Sequence, residues 1–133
     1  MNTLDVSNMA FLWSHTRLVQ EFSQILHATQ AWRGVVVQPD HHGMQFSTGD
    51  VTFGSLRWNG RLDLPVPPEL RDRLVADRMA ACDPDEACSD RVVWMVRAPA
   101  DVDRVVWLLR LSYTCSYRSA PKAGPLSTEA TCS

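Results

Sequence analysis

Residues 51–70, VTFGSLRWNGRLDLPVPPEL, carry the reading on which the fold turns. Val51 to Trp58 reads as a strand, and Asn59-Gly60 follows it. That pair tolerates positive φ and is a strong short-range hairpin signal. A two-residue loop would pair Trp58 with Arg61, Arg57 with Leu62, Leu56 with Asp63 and Ser55 with Leu64. Strict alternation then puts Val51, Phe53, Ser55, Arg57, Leu62 and Leu64 on one face. Thr52, Gly54, Leu56, Trp58, Arg61 and Asp63 fall on the other. Large apolar residues dominate the first face, so it is expected to look inward and to carry Ser55 and Arg57 with it. Pro67-Pro68 stops the strand, and Pro68 suits the first position of a helix over PELRDRLVADRMA, with Leu70, Leu74 and Val75 as its buried stripe.

Outward from this stretch the elements follow by periodicity. Residues 14–29 place Leu18, Phe22, Ile25 and Thr29 at helical spacing, with Ser14 as the expected N-cap. WRGVVVQ and MQFS read as strands flanking the PDHHG break, and RVVWMVR reads as the last strand. A final helix is expected from near Asp101, with Val102, Val105, Val106, Leu109 and Tyr113 on one stripe. Asp101 and Asp103 favour its positive N-terminal end. The fold class is therefore α+β, an antiparallel sheet with N-terminal, middle and C-terminal helices packed mainly on one face. Residues 1–115 are expected to form one domain, and the Pro/Ser/Gly/Ala-rich residues 116–133 a disordered tail.

Composition narrows the function classes. A net charge of −2 over 133 residues, with one lysine against twelve arginines, predicts no nucleic-acid partner. Arg71, Arg73 and Arg78 are balanced by Asp72 and Asp77 and form no basic stripe. No apolar run reaches membrane-spanning length and no signal peptide is evident, so a cytoplasmic protein with free thiols and no membrane partner is expected. Cys82, Cys88, Cys115 and Cys132 show no C-x-x-C spacing. His41-His42 beside Asp40 has no H-x-H or H-x-x-x-H partner, and the 82–90 acidic loop lacks the glycine and glutamate of a calcium loop, so no metal is expected. Phosphate-loop, dinucleotide and nucleophile-elbow motifs are absent from the sequence, and no cofactor is expected.

Two readings of the anomalous polar residues stand side by side. In one, Arg57 binds an anionic or phenolic oxygen in a cleft between sheet and helices, Ser55 positions it, and Tyr113 lines the wall. In the other, Arg57 reaches water near the hairpin tip and Ser55 satisfies a backbone group. Trp58, Arg61 and Asp63 form a surface cluster on the opposite face, a candidate docking face for a protein partner.

From about Gly43 to Tyr113 the chain resembles the luciferase-domain family, which includes the fungal luciferases and many short bacterial proteins. Gly43, Phe46 and Gly49 carry the resemblance, with FGSLRWNGRLDLPVPPELRDRLV and APADVDRVVWLLRLSY. The resemblance implies a small-molecule ligand and, from the fungal members, a monooxygenase that oxidises a phenolic pyrone without a bound cofactor. The family pattern carries His-x-His where this chain has Ser55 and Arg57. The expected function is thus small-molecule binding, extending to cofactor-independent oxygenation or tailoring of an aromatic or polyketide-like substrate. A non-catalytic interaction module is the alternative.

Overall fold

The structure is a computed structural model that describes residues 16–82 and 90–118. In chain order it contains α1 (Val19–Gln30), β1 (Val35–Pro39), β2 (Gly43–Thr48), β3 (Val51–Arg57), β4 (Arg61–Pro65), α2 (Pro68–Ala76), β5 (Arg91–Met95) and α3 (Asp101–Arg118). The five strands form one antiparallel sheet in the order β1-β2-β3-β4-β5. This is the expected α+β architecture. α1 and α3 pack on each other and on one face of the sheet, while α2 lies against β5. Beyond α2, Ala81 exchanges two backbone hydrogen bonds with Val93, at 3.0 and 2.8 Å, and pairs with part of the β5 edge.

The helices start and stop for local reasons. α1 begins at Val19, later than expected, and Leu18 at its N-cap makes no side-chain cap; Ser14 lies outside the described residues. Pro68 opens α2, as its fixed φ and missing N–H allow. The Asp101 carboxylate accepts the amides of Arg97 (2.8 Å) and Ala98 (3.1 Å), which ties the β5–α3 turn to the first helical residue. α3 then runs to Arg118, so the boundary expected at 115 falls within a helix.

Between the layers lies a packed apolar core. Phe22 and Ile25 of α1, Met44, Phe46, Phe53, Leu56, Leu62 and Leu64 of the sheet, and Val105, Leu108 and Leu109 of α3 are all inaccessible or nearly so. Burying each such side chain stabilises the fold by about 1.5–3 kcal/mol. Leu108 joins this set although it lies beside the expected stripe, and Val106 is only half-buried.

Two details of β3 break the alternation expected from the sequence. First, the hairpin to β4 has a three-residue loop. The Gly60 amide donates to the Arg57 carbonyl at 2.8 Å, and Gly60 has φ +101° while Asn59 does not have positive φ. A two-residue type I′ turn needs positive φ at both central residues, so the observed turn is the longer form with glycine in the left-handed position. The register becomes Ser55 opposite Asp63 and Leu56 opposite Leu62.

Second, β3 carries a β-bulge. Phe46 faces Gly54 and Ser47 faces Thr52, so Phe53 is one residue too many for β2. Phe53 and Gly54 consequently both turn toward the helices, and both are buried. Ser112 of α3 answers the bulge: its hydroxyl donates to the Phe53 carbonyl at 2.7 Å, with the Pro65 carbonyl at 3.3 Å also within reach. Gly54 fits because it has no side chain. A Cβ there would lie 2.7 Å from a Leu109 methyl and 3.0 Å from one of Leu64.

Two substitutions test this account by urea unfolding. Ser112→Ala is expected to cost about 1–3 kcal/mol, since it strands a buried carbonyl. Gly54→Val overpacks the Leu109–Leu64 contact and is expected to cost about 1–3 kcal/mol.

Candidate functional site

The bulge and the longer turn decide where the polar residues go. From Gly54 onward β3 is inverted relative to strict alternation, whereas β4 keeps its expected faces. Ser55 and Arg57 therefore stand on the outer face of the sheet, in register with Asp63 and beside Arg61 and Gln45. They do not enter a cleft between sheet and helices; the expectation fails because the extra residue at Phe53 resets the period of two. Trp58 goes the other way. Expected outside with Arg61 and Asp63, it is 8% exposed and stacks on Phe22 at 5.8 Å. Its indole N–H donates to the Asp40 carbonyl at 3.2 Å.

Tyr113 is separated from Arg57 by the whole sheet. It is buried on the helix side, edge-on to Phe53 at 5.4 Å, and its hydroxyl donates to the Arg33 carbonyl at 2.7 Å. It holds the α1–β1 connection against α3 and does not share a wall with Ser55 and Arg57. Thus the two sets of residues assigned by sequence to opposite faces merge into one cluster of Ser55, Arg57, Arg61 and Asp63.

At the centre of this cluster is Asp63, whose side chain is only 6% exposed although it stands on the outer face. Arg61 covers it from one side, with Nε and Nη2 donating to Oδ1 at 3.1 and 3.0 Å. Arg57 approaches from the other, its Nε 3.6 Å from Oδ2, too far for a hydrogen bond. Oδ2 is buried and has no hydrogen-bond partner. The Arg57 side chain is half-exposed and makes no hydrogen bond to a described residue. A guanidinium carries five N–H donors in a fixed planar fork.

Arg57 and Ser55 line a half-open groove of about 340 Å³ together with Gln45, His42 and Asp40. Its floor is set by the 40–43 turn. Asp40 Oδ1 accepts the amides of His42 (2.7 Å) and Gly43 (3.0 Å), and the Asp40 amide returns a bond to the Gly43 carbonyl at 2.8 Å. The Trp58 amide donates to the His42 carbonyl at 3.0 Å, stitching this turn to the hairpin tip. Gly43 allows the turn to lie flat on β3: a Cβ there would sit 2.1 Å from the Leu56 carbonyl oxygen. Burial pushes the Asp40 carboxyl upward, but the two amide bonds, the charge of His42 and the Gln45 amide outweigh it, and its pKa lies below the usual 3.8.

The remaining candidates group differently. The His41 and His42 rings stack on each other at 5.7 Å on the exposed turn. Among the described residues no three His, Cys, Asp or Glu side chains come together as a metal site. Cys82 is a free thiol, but Cys115 is disulfide-bonded, which corrects the expectation of free thiols throughout. The acidic residues 83–89 also lie outside the described set. Among the described residues no helix is long and apolar enough to cross a membrane. Comparison of the chain with family models, with curated proteins and with solved structures finds no match in any of the three.

Sequence reasoning did not bring Gln45 into the site. Its alignment beside Ser55 follows from the β2–β3 register, which the bulge obscures.

The Asp40 turn yields a pH prediction. A carboxyl with a lowered folded pKa stabilises the turn above its unfolded value and loses that contribution as pH falls through the folded value. The Asp40 titration, followed by NMR, is expected to have its midpoint below 3.8, and protection of the His42 and Gly43 amides should fall across the same acid range. Asp40→Asn keeps the Oδ1 acceptor and should remove the acid step while leaving the turn formed at neutral pH.

Proposed function

We propose that this chain is a binding module for small anions, carboxylates or phenolates, with its site on the open face of the sheet at Arg57. The observation that carries the reading is the state of that guanidinium. The Arg57 Nε stands 3.6 Å from the Asp63 carboxylate, beyond hydrogen-bond distance, while half of the side chain faces solvent beside the groove. A planar donor fork oriented by a buried carboxylate suits bidentate recognition of an oxyanion. Ser55 and Gln45 add neutral hydrogen-bonding groups beside it. In the resemblance to the luciferase-domain family, Ser55 and Arg57 stand where that family's pattern carries His-x-His.

The chemistry favours binding over turnover. Where the resemblance would place two imidazoles this chain has a hydroxyl and a guanidinium, and neither of these is a proton-exchanging group near neutral pH. Cofactor-free oxygenation also asks for a site that excludes water, whereas this groove opens on the sheet surface. Arg61 and Asp63 contribute by position: they fix the polar cluster from which Arg57 projects.

Benzoate is a direct probe, with benzamide as its neutral counterpart. Benzoate is expected to bind with a dissociation constant on the order of millimolar, the scale for so small a ligand. It should shift the NMR amide signals of Gln45, Ser55 and Arg57, while benzamide leaves them in place. Arg57→Gln should weaken binding about tenfold or more, the loss of one charged hydrogen-bonding group. Equal shifts from benzamide, or wild-type binding by the variant, would sink the reading.

A further inference from the structure

The opposite surface of the molecule carries a second feature. α1 and α3 leave an outward groove of about 600 Å³ between them, lined by Gln24, Ala28, Trp32, Val106, Trp107 and Arg110, among others. Ala28 is small, which opens the groove, and Trp107 stands over it with 44% of its surface exposed. A half-exposed indole beside a second indole is the kind of residue that anchors protein interfaces. Of the described large apolar side chains only Val19, at 38%, is comparably exposed, and it lies at the start of α1.

The charges around Trp107 select the occupant. Asp103 lies four residues before it and Arg110 three residues after it, so all three share one face of α3. The acidic and basic ends are about 10 Å apart along the helix axis. Arg110 is itself held in place, its guanidinium 5.2 Å from the Trp32 ring centroid and 5.1 Å from that of Tyr113. Attraction to two ring faces restrains the guanidinium at the rim of the groove, where Arg110 remains exposed.

We propose that a second copy of this chain covers the groove, forming a two-fold dimer in which the α3 helices run antiparallel and cross near Trp107. The two-fold relation makes the surface self-complementary. Asp103 of one protomer meets the partner's Arg110, and the same pair recurs at the other end. Trp107 from each protomer then fills the space left over Ala28 of the other. The sheets face outward in such a dimer, so the two Arg57 grooves remain open at its opposite ends. The dimer does not depend on what those grooves bind.

Sedimentation velocity of the full chain from about 1 to 300 µM tests the proposal, over the range expected for a modest, partly polar interface. The wild type is expected to pass from monomer to dimer within that range. D103R sets like charges against each other twice per dimer and should weaken association about tenfold or more. D103R/R110D restores opposite charges and should recover association to within about threefold of wild type. D103R is an exposed change that leaves the cation–π contacts intact, and circular dichroism confirms its fold. A wild type that stays monomeric throughout overturns the dimer. So does a dimer indifferent to D103R, or one that the double swap fails to restore.

Discussion

The hydrogen bond from the Ser112 hydroxyl to the Phe53 carbonyl holds the point on which the rest of the molecule depends. A strand that gains one residue leaves a carbonyl out of the ladder, and that carbonyl is buried under α3. Left unpaired it would cost about 1–3 kcal/mol. Satisfied from the helix, it lets two neighbouring residues face the core, with Phe53 packing among Trp32, Phe46 and Tyr113. Gly54 meanwhile makes room for Leu109. The inversion that follows moves Ser55 and Arg57 across the sheet. The donor on the last helix thus stabilises the bulge that sends Ser55 and Arg57 to the outer surface.

The sheet then works as a partition. On the helix side, Leu56, Leu62, Met44 and Phe46 are fully buried and carry no polar side-chain atom. On the outer side, Asp63 collects two arginines at a position where no apolar layer exists to cover it. A carboxylate this shielded would be costly without cations, and Arg61 satisfies Oδ1 with two donors. Arg57 satisfies Oδ2 only through longer-range attraction, since 3.6 Å exceeds hydrogen-bond distance. The asymmetry is informative: one guanidinium is committed to Asp63 by two hydrogen bonds, while the other is steadied by it and remains available to an outside acceptor.

Much of this fold is legible in the sequence, and the failures have identifiable causes. The β3–β4 hairpin, the start of α2 at Pro68 and the acidic start of α3 follow from turn chemistry, proline geometry and the helix dipole. The inward faces of β4 follow from Leu62 and Leu64 alone. What alternation could not carry was a phase change inside one strand. Phe53-Gly54 contains the signal, because a glycine within a strand often marks a bulge or a close approach. The deciding partner, Ser112, lies 59 residues away, beyond the reach of any local pattern. Trp58 shows the same limit. Its apolar ring is compatible with either face, and only the three-residue turn, with Phe22 beside it, settles the choice.

The turn and the bulge make sense as a pair. A bulge alone inverts the outer half of β3 and would set Leu56 and Gly54 against the outward residues of β4 if the two-residue register were kept. The longer loop shifts that register by one residue, so Leu56 meets Leu62 and Ser55 meets Asp63. Apolar then lies opposite apolar and polar opposite polar across the β3–β4 seam. Gly60 is the residue that permits the shift. Its φ of +101° is strained for any side chain, and a Cβ would meet the Val96 carbonyl oxygen at 2.5 Å. The Val96 amide donates to the Gly60 carbonyl at 2.8 Å, so the chain leaving β5 is fastened to the same glycine. The arginine groove is therefore the joint product of two irregularities, one inside a seven-residue strand and one in the turn that follows it, each of which would misplace it without the other.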